Sequence, residues 1–265
     1  MRQFLSHDFP DERGTILING TDFKHFRAVR SKVGDMVRVL LPNQNLVLMT
    51  VAKIDLAEKS LTLLLCENEA AHSEQKTKRI WLFQFVPKAS KFEQIVRQAT
   101  ECGVERIFPV ISEFSSDGAT NMNFRSERIA RIIREARQQS GSRVETSVEN
   151  AISVQDLCVL WKKERESCGD FPEKKRALVF WERNENTKNV FDALGENAEN
   201  IELCALICGA EGGISAQEIA LIEKAGGVPV HFQTNILRCE TAALYGIAVV
   251  QQKIERGVKN VGTAD

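Results

Sequence analysis

What this 265-residue sequence lacks narrows its function before any motif is read. It lacks net charge: 35 Lys and Arg stand against 36 Asp and Glu, for a formal net charge of -1. It lacks a long apolar run, since stretches such as Leu203–Cys208 fall far short of the ~20 residues a membrane-spanning helix needs. It lacks a secretory leader: Met1-Arg2-Gln3-Phe4-Leu5-Ser6-His7-Asp8 turns acidic too soon, so a cytoplasmic protein is expected. It lacks any Cys-x-x-Cys. Its 7 cysteines, at 66, 102, 158, 168, 204, 208 and 239, read as buried reduced thiols and not as a disulfide framework. The 4 histidines, at 7, 25, 72 and 231, are too scattered to supply a zinc site, and no metal is expected.

What is present is globular composition, 43% hydrophobic and 27% charged, over a length that suggests two domains. A net charge near zero would argue against a nucleic-acid partner if the charges were evenly spread. They are not. Residues 1–75, 76–143 and 144–265 carry formal charges of -1, +6 and -6. A basic middle and an acidic last third can face different partners.

The first ~70 residues read as short strands at 15–18, 36–41, 46–54 and 61–65, with turn signals at 32–35, 42–43 and 55–59. One helix is expected at 21–27, with Thr21 as its cap. Regular strand spacing gives a small, barrel-like β module. A polar stretch at 69–78 reads as a linker. Beyond it strands alternate with helices: strands at 80–86, 106–112, 177–181, Leu203–Cys208 and 228–232, and helices at 88–101, 122–140, 157–163, 216–225 and from about Cys239 onward. That alternation implies an α/β fold with a largely parallel sheet, and Cys204 and Cys208 fall on one face of their strand.

Two segments hold candidate chemistry. In Gly209-Ala-Glu211-Gly212-Gly213-Ile-Ser215 a buried strand runs into a glycine-rich turn, and Ser215-Ala-Gln-Glu218 forms a capping box for the next helix. Such glycines let backbone approach a ligand at the C-terminal end of a sheet, although a plain tight turn explains them as well. The spacing matches neither the dinucleotide fingerprint nor a phosphate loop. One strand later comes Gln233-Thr234-Asn235-Ile236-Leu237-Arg238-Cys-Glu240-Thr241-Ala242. Glu240 and Thr241 suit the first turn of a helix. Arg238 is placed to grip a carboxylate, a phosphate or a base edge, or to form a structural salt bridge. The following helix is apolar all round and needs cover on every side, which a second subunit would supply.

These two segments resemble the closing signature of the ribosomal RNA small subunit methyltransferase E family. The likeness extends upstream through Lys88-Ala-Ser-Lys91-Phe-Glu93, Gln98-Ala99-Thr100-Glu101-Cys-Gly103-Val104, Pro109, Glu135-Ala136, Gln139-Ser140-Gly141 and Arg143, and back to Arg30 and Gly34-Asp35. It covers nearly the whole chain. Two departures stand out: Ala210 sits where the family usually has proline, and Gln233-Thr234-Asn235 where it usually has Gly-Pro-Arg.

The resemblance implies a PUA-like RNA-binding β-barrel over 1–73 and a SPOUT methyltransferase domain over 74–265 whose chain threads a trefoil knot. It implies S-adenosyl-L-methionine as cofactor, a homodimer, and methylation of N3 of a specific uridine in 16S rRNA of the small ribosomal subunit. The cofactor residues would be Trp181, Ile207, Gly209, Glu211, Gly212, Ile236, Leu237, Arg238, Thr241 and Ala242. Arg238 would stabilise negative charge developing on the uracil, and Glu211 is a weaker candidate for the base. RNA contacts would come from Lys24, Arg27 and Arg30, grouped with Lys32 and Arg38, and from Arg134, Arg137 and Arg143 beside the 122–140 helix. An arginine run on a helix is otherwise a solvated face. Two rival readings are an RNA-binding protein with a degenerate, inactive SPOUT domain and a small-molecule α/β enzyme using the same glycine turn.

Overall fold

The computed structural model describes residues 3–28, 31–66, 78–116, 118–167, 169, 172–182 and 187–255. The chain divides into two units, Met1–Lys76 with Arg137–Arg143, and Thr77–Ala136 with Val144–Asp265.

The first unit contains β1 (Gln3–Leu5), β2 (Thr15–Ile18), α1 (Gly20–Ala28), β3 (Met36–Leu40), β4 (Leu46–Asp55) and β5 (Ser60–Leu65). The strands form one mixed sheet in the order β1-β3-β4-β5-β2. Period-2 alternation sets its inner face: Val37 and Val39 of β3 point inward while Met36 and Arg38 point out. With Ile16, Ile18, Met49, Val51, Leu61 and Leu63 they meet Phe23 and Phe26 of α1 in one apolar cluster. β1 and β2 are the sheet's edges.

The second unit opens with β6 (Arg79–Phe85), α2 (Ala89–Glu101), β7 (Arg106–Ile111), α3 (Glu127–Ser140, whose last turn from Arg137 falls in the first unit), β8 (Ser147–Val148), β9 (Ile152–Ser153) and α4 (Val154–Glu166). It continues with β10 (Lys175–Phe180), β11 (Lys188–Asn189), α5 (Val190–Leu194), β12 (Leu203–Cys208), α6 (Ala216–Lys224), β13 (Gly227–His231) and α7 (Cys239–Ile254). The sheet runs β11-β13-β10-β12-β6-β7-β8, with β9 also beside β7, and every pairing in it is parallel. Alternate side chains feed two cores. Ile80, Leu82, Leu178, Phe180, Cys204, Leu206 and Cys208 face the layer that holds Phe92 of α2 and Ile247 of α7. Trp81, Phe83, Val179, Ala205 and Ile207 face the layer that holds Leu157 of α4 and Ile219 of α6. Parallel strands buried on both faces read as continuous apolar runs, which is why Leu203–Cys208 carries no polar residue.

Three differences from the sequence reading have local causes. Helix 122–140 begins only at Glu127, because residues 119–121 form a 3-10 turn and Asn123 accepts from the Arg125 N–H in a side-chain turn. Helix 157–163 begins earlier, at Val154, where Ser153 and Asp156 make a capping box. The two-residue strands β8, β9 and β11 carry no periodicity of their own, and their pairing to longer neighbours defines them. Among the described residues no helix is long and apolar enough to cross a membrane.

Candidate functional site

The centre of the second unit's sheet contains a reversal of strand order. From β10 the chain passes through β11 at the sheet edge, crosses to β12 on the far side of β10, then returns to β13 between β11 and β10. Open parallel sheets leave a crevice at the C-terminal ends of strands at such a point. Here the crevice is a cavity of about 730 Å³, within the range of small-molecule sites. Three loops wall it: Trp181 and Glu182 after β10, residues 209–213 after β12, and residues 232–238 after β13.

The glycine-rich turn is built for close approach. Its Gly213 N–H donates to the Ala210 carbonyl at 3.0 Å, and Gly213 takes φ +80°. A Cβ on Gly209 would lie 2.9 Å from the Gly213 backbone, and one on Gly212 would lie 2.7 Å from the Phe114 Cβ. Side chains are therefore excluded, and peptide groups line that wall. The capping box follows as the sequence implies, with Ser215 accepting from the Glu218 N–H and Glu218 from the Ser215 N–H.

On the opposite wall, α7 starts at Cys239 with Arg238 as its N-cap residue. Glu240 is buried in the first turn, where it accepts from the Cys239 thiol at 3.2 Å. Burial opposes its charge, yet its own backbone N–H, that thiol and Lys91 together hold its carboxyl below the usual carboxylate range. Cys239 moves the other way, pushed up to about 12 by burial and by Glu240.

Lys91 of α2 bridges the two walls, its ammonium 3.5 Å from Glu211 and 3.4 Å from Glu240. Burial disfavours its charge, but the Cys239 sulfur, Glu240 and Glu211 outweigh that and raise it above an ordinary lysine. Glu211 also accepts from the Lys88 N–H at 3.3 Å, so its carboxylate is already engaged. Arg238 is exposed at the rim and makes no ion pair among the described residues.

Of the expected cofactor residues, Trp181, Gly209, Glu211, Gly212, Ile236, Leu237, Arg238 and Ala242 line this one cavity. Ile207 and Thr241 do not. Ile207 is fully buried on the opposite layer, facing α4 and α6, because it is one residue out of phase with the cavity's side of β12. Thr241 is exposed on the outer side of α7. Residues that the sequence reading gave no role in the site also line it: Lys91, Phe180, Glu182, His231 and Phe232. Lys91 stands in a segment already quoted for the resemblance, and the others stand at strand ends, the one local sign available.

The basic residues divide. Lys24, Lys32, Arg38 and Arg125 are exposed. Arg30 and the side chain of Arg27 lie outside the described residues. Arg128 pairs with both oxygens of Glu93, and Arg131 and Arg97 approach Glu135 at 3.9 and 3.8 Å. Arg134 and Arg143 are half-buried. Arg137 differs from the expectation. It is buried, donating to Gln44 Oε1 at 2.8 Å and to the Arg143 carbonyl at 3.2 Å, which makes it a structural residue of the first unit.

Fold and cavity define a ligand-binding α/β protein whose site lies at the C-terminal edge of a reversed parallel sheet. A family model described as RNA methyltransferase domain matches residues 73–251, and the chain belongs to that family. It is 25% identical over 244 residues to the Ribosomal RNA small subunit methyltransferase E of Aquifex aeolicus, covering 91% of this chain and 96% of that protein. It is 29% identical over 240 residues to the protein of that name from Mesomycoplasma hyopneumoniae, covering 87% and 90%. A crystal structure of a Ribosomal RNA small subunit methyltransferase E from Neisseria gonorrhoeae bound to S-adenosyl methionine shares the fold. Its TM-score is 0.71 at 20% identity, over 95% of this chain and 97% of that one.

Proposed function

We propose that this chain methylates N3 of a uridine in 16S rRNA of the small ribosomal subunit, using S-adenosyl-L-methionine. The observation that carries the reading is the cavity itself: three loops converge on about 730 Å³, with a backbone-lined glycine wall facing an arginine that makes no ion pair among the described residues. The residues fit such a cofactor. Glycines 209, 212 and 213 line the cavity with peptide groups and no side chains. Phe180, Ile236 and Leu237 offer apolar surface, and Glu182 and Glu211 offer acceptors. When bound, the cofactor supplies a methyl group already activated on a sulfonium, so the protein's work is alignment and exclusion of water.

N3 of uridine bears a proton and lies on the pairing edge, so the target base must be unpaired when it enters. Arg238 stabilises the negative charge that spreads onto the uracil carbonyls as that proton leaves, acting where charge develops. Glu211, held by Lys91 and the Lys88 N–H, anchors the turn and is the candidate acceptor for that proton. Residues 1–73 serve as a PUA-like RNA-binding module and 74–265 as the SPOUT catalytic domain. The last segment threads a trefoil knot, since the chain leaves β13 on one side of β10 while α7 settles against β12 and α2 on the other. Tyr245, 44% exposed, with Thr241 and Ala248 on the outer side of α7, form the face that a second copy covers in a homodimer. Lys24, Arg27, Arg30, Arg134 and Arg143, with Lys32 and Arg38 beside the first group, contact phosphates, and the enzyme works in the cytoplasm, where ribosomal subunits are built.

Mass mapping of 16S rRNA from cells lacking the gene tests this reading: one methyluridine is missing, and the purified protein restores it. Calorimetric titration with S-adenosyl-L-methionine separates it from the inactive RNA-binding alternative, which produces no heat. RNA binding falls steeply with salt if phosphates are the contacts.

A further inference from the structure

Gln84, on β6, is fully buried and reaches the end of the neighbouring strand β12. Its Nε2 donates to the carbonyls of Gly209 at 3.0 Å, Cys208 at 3.3 Å and Phe85 at 3.0 Å. Three surrounding carbonyls fix the amide's orientation, since the reverse would set oxygen against oxygen. The arrangement has a cost: Oε1 is buried with no hydrogen-bond partner among the described residues. A buried acceptor left unpaired is destabilising, and an apolar side chain of the same volume would remove it. The two N–H donors therefore account for an amide at this position, not the stability of the core.

What the donors do follows from the sheet register. The pairing of β12 with β6 ends at Cys208 opposite Gln84. Gly209, the next residue, turns out of the sheet to begin the glycine wall, so its carbonyl has left the ladder. Gln84 supplies from a side chain the bond that a strand no longer supplies. A change at Gly209 propagates directly, because a Cβ built there would lie 2.9 Å from the backbone of Gly213, whose N–H closes the turn on Ala210.

We propose that Gln84 is a positioning residue for the cofactor: through the Cys208 and Gly209 carbonyls it sets the shape of the glycine turn without touching the ligand. This rests on the reading of the cavity as the S-adenosyl-L-methionine site. Gln84→Met keeps the volume and removes both donors together with the orphan acceptor. The variant has a melting temperature close to wild type, and a cofactor Kd and KM raised about tenfold, the factor of one ordinary hydrogen bond. Its kcat at saturating cofactor is little changed. Amide hydrogen exchange at Gly213, measured without cofactor, quickens by a similar factor. Gln84→His, with one N–H when neutral, falls between the two proteins, and it decides the matter if the Met variant does not fold. Unchanged cofactor Kd and unchanged Gly213 exchange in a folded variant overturn the proposal. If wild-type protein fails to bind S-adenosyl-L-methionine while exchange at Gly213 still quickens in Gln84→Met, the cofactor reading falls and the control of the turn by Gln84 stands.

Discussion

At the start of β6 and β7, Arg106 lies over the rings of Trp81 and Phe108, at 4.9 and 4.7 Å from their centroids, and Arg79 lies 5.4 Å from Trp81. Glu105 accepts from both Arg79 and the Trp81 indole at 2.8 Å, and Glu149 accepts from Arg106 at 2.8 Å. At the other end of the same sheet, Arg238 pairs with no carboxylate among the described residues, Ile236 is 84% exposed, and the wall is bare glycine. One end has spent its charges on itself; the other holds a charge and apolar surface in reserve. Intramolecular pairing is what distinguishes a charged cluster that stabilises from one that is available to a ligand.

Substitutions at the two ends should therefore separate catalysis from stability. The largest effect belongs to Arg238→Ala: kcat falls about a hundredfold, as for loss of one donor aimed at a developing anion, while cofactor Kd by calorimetry stays near wild type. Near-normal turnover would remove Arg238 from the chemistry. Next, Gly209→Ala forces its Cβ to 2.9 Å from the Gly213 backbone; cofactor affinity falls about thirtyfold, equivalent to ~2 kcal/mol of backbone strain. Lys91→Met leaves Glu211 and Glu240 without their shared cation, and cofactor KM rises about fivefold, with Lys91→Arg recovering much of the loss.

The smallest effect should appear at the closed end. Arg106→Ala costs about 1 kcal/mol of stability, read by urea titration, through the lost ring contacts and ion pair, and leaves kcat and KM unchanged. A kinetic effect there would erase the contrast. The Arg106 hydrogen bond holds the Glu149 carboxyl below the ordinary value of 4.5, ahead of the opposing effect of burial. A depressed carboxyl stabilises the fold above its unfolded pKa and ceases to do so as pH falls through its folded one. The Glu149 contribution is thus complete at neutral pH and lost on acidification below about 4.5, and Arg106→Ala flattens that part of the acid limb.

The same contrast governs what the sequence made legible. Leu203–Cys208 and the Ser215–Glu218 capping box were readable because each depends on neighbours within four residues. The glycine turn and the 236–242 segment were readable as chemistry because glycine and arginine are unusual where strands end. The strand order was not, nor was the pairing of Gln84 with Gly209, 125 residues apart, or of Lys91 with Glu211 and Glu240. Those depend on chain crossings that no local period records. Ile207 shows the limit at single-residue scale: the turn it precedes is at the site, but a one-residue phase along β12 sends its side chain to the other core. Arg137 shows it for charge, since an arginine spaced like its exposed neighbours lies on the covered side of the helix end.

One glycine lies outside the cavity altogether. A Cβ on Gly246 of α7 would come within 2.4 Å of the Phe180 ring, itself stacked on Phe232 at 4.7 Å. That ring pair forms part of the cavity floor, and Arg238 sits two turns up the helix, about 12 Å along its axis. A methyl group at Gly246 would therefore force either α7 or the Phe180 ring to give way, and that ring belongs to the cavity lining.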